Sequence, residues 1–171
     1  METDGILEVG RSVVIPTFPG GADEYLAYLK SDRGITIYPS SEEILRSAAA
    51  SGGIPRGQVS VRVMRAETLF LGPRPWKATS LHTRYSQVLE AGEGDGLSPL
   101  SPLIVPFLGD LFGGLGVCAI FAGMEPSAIP GEKDPQILCF RVVEGEEMDI
   151  ITFTERISIP QRSFVAFESR V

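Results

Sequence analysis

One histidine, His82, and two cysteines, Cys118 and Cys139, are all that the 171 residues offer of the types behind most acid–base, nucleophilic and transition-metal chemistry. That set cannot close a zinc site by itself. A nucleophile elbow of the form Gly-x-Ser-x-Gly is missing, so His82 has no recognisable serine partner. The glycine-rich run Gly109–Gly116 lacks the Lys-Ser/Thr that would hold a phosphate and its magnesium, and no Gly-x-Gly-x-x-Gly fingerprint occurs. The expectation is a non-enzymatic protein without metal or cofactor. A small hydrolase or isomerase using His82 is the enzymatic alternative.

Acidic clusters at Glu90/Glu93/Asp95 and Glu144/Glu146/Glu147/Asp149 supply oxygen ligands of the kind calcium takes, yet neither follows the twelve-residue calcium-loop pattern. Solvated acidic turns account for them. The start, Met-Glu-Thr-Asp-Gly, is acidic and has no apolar core, which is unlike a secretory signal. Both cysteines lie in apolar runs, as buried reduced thiols do. The expected setting is cytoplasmic or otherwise intracellular and reducing.

What is abundant is glycine and proline, 19 and 13 residues. Together with 43% hydrophobic content, they point to short elements, many turns and a packed core rather than disorder. The chain length fits a single domain over 1–171. Residues 6–15 read as a β segment ending at Pro16. Residues 23–30 carry acids first and Lys30 last around Tyr25, Leu26 and Leu29, which predicts a short helix. A strand over 35–38 follows. A second helix is predicted over 41–50, with Ser40 and Glu43 as a capping box and Gly52-Gly53 as the stop. Val59, Val61 and Val63 alternate with Gln58, Ser60, Arg62 and Met64, a period-2 pattern predicting a strand over 58–71. Residues 79–90 read as another strand, and 91–102 as a loop. Strands over 115–122, 136–143, 148–154 and 163–168 follow, with 136–154 a hairpin around Glu144–Glu147. The fold class is mainly β (α+β): an antiparallel β-sandwich or barrel-like sheet of seven or eight strands with two short helices.

Charge is unevenly spread. The net is −7, yet residues 56–84 hold six basic side chains and one acidic one. If 58–71 and 79–90 pair, Arg56, Arg62, Arg65, Arg74, Lys77 and Arg84 could converge beside Trp76 to meet RNA or an anionic membrane surface. The competing explanation is charge pairing within the fold or between subunits.

Residues 97–124 carry a single charge, Asp110. Their length would suffice for a membrane span, but Pro99, Pro102 and Pro106 break the start, Gly109, Gly113, Gly114 and Gly116 interrupt the middle, and the flanks are acidic. Such a segment is either core or a docking surface. Its apolar residues Leu103, Ile104, Val105, Phe107, Leu108, Leu111 and Phe112 are the candidate interface. Pro99-Leu-Ser-Pro102 is a minimal Pro-x-x-Pro, best explained as a rigid loop. The functional expectation is a self-associating β-rich subunit in a homo-oligomer or larger assembly, the class of viral matrix, capsid and tail components. A binding module built on the basic strand pair is the alternative.

Overall fold

The computed structural model describes residues 8–67, 82–111, 119–143, 147–160 and 163–169. In chain order these form β1 (Glu8–Ile15), α1 (Ala22–Ser31), β2 (Ile35–Ile37), α2 (Pro39–Gly52), β3 (Gly57–Arg65), β4 (His82–Arg84), α3 (Tyr85–Gly94), a 3-10 segment (Pro102–Leu111), β5 (Ala119–Ala122), β6 (Gln136–Val143), β7 (Glu147–Thr154), β8 (Ser158–Pro160) and β9 (Phe164–Glu168). Seven strands make one open sheet in the order β1-β3-β9-β5-β6-β7-β2, and β4 pairs with β8 in a two-stranded sheet. The large sheet is mixed. β9–β5 and β7–β2 run parallel, and the other neighbours run antiparallel.

Sequence periodicity explains which side each element buries. On β1, Val13 and Ile15 are buried while Ser12 and Val14 are exposed. The pairing register carries that face through Val61 and Val63 to Ala166, then Ile120, Phe140 and Ile150. The 3-10 segment, α1 and α2 cover this first face. Tyr25 of α1 donates its hydroxyl to the Leu103 carbonyl at 2.6 Å, and Ser41 of α2 donates to the Ile150 carbonyl at 2.7 Å. Both are buried, so each supplies a partner that a buried polar group requires.

The opposite face carries Met64, Val165 and Phe167, and α3 lies on it. A side chain at Gly92 of α3 or at Gly123 would put its Cβ 2.5 Å from the Phe167 ring. Glycine at both positions is therefore what lets the ring sit between helix and strand. Tyr85 pins the helix start. Its hydroxyl donates toward the carbonyls of Ala122 and Met124, each at 2.7 Å, and accepts from the Met124 amide at 2.8 Å.

Several expectations hold. α1, β2, β6, β7 and β9 fall where the pattern placed them, and β6–β7 is the predicted hairpin. Others are corrected. The sheet is not closed and is only partly antiparallel, so neither the barrel nor the purely antiparallel sandwich applies. The helical segments number four among the described residues, not two. The second helix starts at Pro39, with Pro39 in the first turn and Tyr38 capping through its backbone; no side-chain capping box forms. Residues 85–94 are helix rather than strand and loop. Tyr85, Val88, Ala91 and Gly92 are buried, and that 3–4 spacing outcompetes the alternation read at Leu81, Tyr85 and Leu89.

Candidate functional site

The basic island does not assemble as the sequence suggested. β3 pairs with β1 and β9, whereas β4 pairs with β8, so among the described residues the expected basic hairpin does not form. Arg56 is exposed in the turn before β3, and Arg84 is exposed at the start of α3. Arg62 and Arg65 are half-buried and face opposite sides of β3. Arg65 lies 5.6 Å from the Phe164 ring centroid and 3.8 Å from a Glu67 oxygen. Arg74, Trp76 and Lys77 lie outside the described residues. Among the described residues, Arg62 and Arg65 do not converge on one face of β3.

The described apolar residues of the 3-10 segment, Pro102–Leu111, are core. Leu103, Ile104, Val105, Phe107 and Leu108 are buried to within 1% and Leu111 to 6%. These side chains have no surface to offer a second chain, because the first face of the sheet already takes it. Phe112 lies outside the described residues. Asp110 escapes the interior and pairs with Arg33 at 2.6 Å, while the same guanidinium sits 4.9 Å from the Phe107 ring centroid. Among the described residues no helix is long and apolar enough to cross a membrane.

His82 opens β4, and among the described residues no group of three His, Cys, Asp or Glu could hold a metal. Glu90 and Glu93 are exposed on α3. With Glu125 and Glu155 they line a shallow groove of about 280 Å³. Asp149 is instead committed to Arg141, across β6–β7, through two hydrogen bonds of 2.9 and 2.7 Å. Cys139 is free and buried, and burial pushes its thiol up to about 12. It stays protonated and unreactive near neutrality.

What sequence reading missed is an edge. β1 borders the sheet, and its eight residues pair one-to-one with Gly57–Met64 without a bulge. Ser169 donates its amide to the Ser60 carbonyl, and Ala66 donates to the Ser163 carbonyl. The even-numbered residues of β3 therefore bond toward β9 and the odd-numbered ones toward β1. The same alternation turns the amides and carbonyls of Glu8, Gly10, Ser12 and Val14 toward the outer side. Among the described residues no strand pairs there. Val14 is 67% exposed, more than any other large apolar side chain described. Only the fold shows that this strand is terminal. The signals available in sequence were the absence of lysine from residues 8–15 and a glycine in mid-strand.

Compared with protein-family models, with curated proteins and with solved structures, the chain matches none.

Proposed function

We propose that this chain is a non-enzymatic assembly subunit that associates with its own kind by strand addition at the outer side of β1. The observation that carries the proposal is the unbulged eight-residue edge with outward-turned backbone groups and the exposed Val14. Proteins guard long sheet edges with lysine, proline, bulges or very short strands, because an open edge is a template for another chain. β1 carries no lysine, proline or bulge within its length: its charged residues are Glu8 and Arg11, with Arg11 on the parity of Val13 and Ile15, and proline comes only at Pro16. Strand addition at that edge would give each new neighbour backbone hydrogen bonds without a pocket or cofactor.

The test is solution mass against concentration, by light scattering or sedimentation equilibrium, for the parent chain and for Val14→Pro. Proline at position 14 removes an amide that points outward and leaves the bonds to β3 in place. The parent is expected to pass from monomer to oligomer as concentration rises, and the variant to stay monomeric. A parent chain that is monomeric at every concentration removes the proposal.

A further inference from the structure

Nothing among the described residues requires glycine at position 10. It sits in the middle of β1, where glycine weakens a strand. It does not adopt a positive φ, the strand has no bulge, and a Cβ added there would meet nothing within 4 Å. A glycine in such a place commonly marks where another backbone or side chain comes close. Four residues along, Val14 turns its side chain to the same, exposed face of the sheet.

From this pair we infer the partner and its register: a second copy of the chain, with the two β1 strands antiparallel about a two-fold axis at Ser12. The inference rests on the edge reading above and deepens it. Outward-bonding residues pair with outward-bonding residues, so a two-fold contact can place Gly10 opposite Glu8, Gly10, Ser12 or Val14 of the other copy. Pairing Gly10 with Ser12 sets Arg11 against Arg11, which like charges disfavour. Pairing Gly10 with Val14 sets Arg11 opposite Val13 and Ser12 opposite Ser12. It also lays the exposed Val14 over the one position that has no side chain, twice per contact. A strand from an unrelated protein would draw no such match from β1 itself.

The experiment is oxidative cross-linking of single-cysteine additions, with the parent's Cys118 and Cys139 as background. Directly opposed, hydrogen-bonded residues have Cα atoms about 5.5 Å apart, within disulfide reach. Ser12→Cys is expected to give a covalent dimer well above background, and Gly10→Cys and Arg11→Cys little. Strong cross-linking of Gly10→Cys or Arg11→Cys instead overturns the register while leaving edge pairing in place. A dimer by mass that cross-links at none of the three overturns this register, and a monomeric parent overturns both. Gly10→Val supplies a readout of opposite sign. Valine suits a strand with open space, so the melting temperature of the dilute monomer is expected to hold or rise. The dimer dissociation constant is expected to rise about tenfold or more. An unchanged dissociation constant contradicts the match of Gly10 to Val14.

Discussion

The two edges of the large sheet face opposite problems. β2, at one end, is three residues long, runs parallel to β7 and is followed within two residues by Pro39. α1 precedes it, α2 follows it, and Ile35 is buried. β1, at the other end, is eight residues long, about 27 Å of strand. It buries Val13 and Ile15 on one side and shows Ser12 and Val14 on the other. One edge is closed by brevity and proline; along the other, no strand among the described residues pairs with the outer side. On the proposed function, the difference places assembly at β1, away from the core.

The largest effect tests the closed end. Phe107 is buried beneath α1, against Tyr25 and Tyr28. Phe107→Ala is expected to lower unfolding free energy by about 3–5 kcal/mol in urea titration, with the oligomer lost only because the fold is lost. A cost below 1 kcal/mol would show that this side is not sealed as described. Next comes the anchoring of α3 on the second face. Tyr85→Phe strands the Met124 amide and the carbonyls it served, at a cost of about 1–3 kcal/mol. Gly92→Ala drives a methyl into the Phe167 ring, at about the same cost.

Alkaline pH should weaken the fold from within. Burial pushes Cys139 up to about 12 from an ordinary 9.0, and burial also raises Tyr25 and Tyr85. In the unfolded chain these groups ionise at their ordinary values, while in the folded chain they remain neutral. Their contribution is thus whole below about pH 9 and is lost as pH climbs toward 12, at up to about 1.4 kcal/mol per unit for each group. Urea midpoints at pH 8, 9.5 and 11 should fall in that order; a midpoint constant through pH 11 contradicts the burial of these groups. The smallest expected effect contrasts the edges directly. Thr36→Lys, on β2, should change neither stability nor mass, whereas Val14→Lys, on β1, should spare stability and remove the oligomer. Equal effects at both edges would erase the distinction.

Local chemistry was legible in the sequence where one element decides its own form. The acids and lysine of α1, Gly53 after α2 and the alternating valines of β3 each gave the correct element. Long-range choices were hidden. Tyr85, Val88 and Leu89 fit a strand or a helix until the second face of the sheet is known to need cover, with Phe167 waiting for Gly92. The uncharged stretch at 97–124 could have lain outside or inside. The depth of the core settles it, because Leu103–Leu108 fill the space between sheet and helices. The candidate edge was not legible at all, since strand order is a property of the whole chain. Gly10 and Val14 gain meaning only once β1 is terminal.

Residue-resolved hydrogen exchange of β1 at low and high protein concentration tests the central claim most directly. The amides of Arg11, Val13 and Ile15 bond to β3 and should be protected at both concentrations. Those of Gly10, Ser12 and Val14 should exchange fast when dilute and slow markedly as concentration rises. If those three exchange equally fast at both concentrations, the β1 edge is not where this protein assembles.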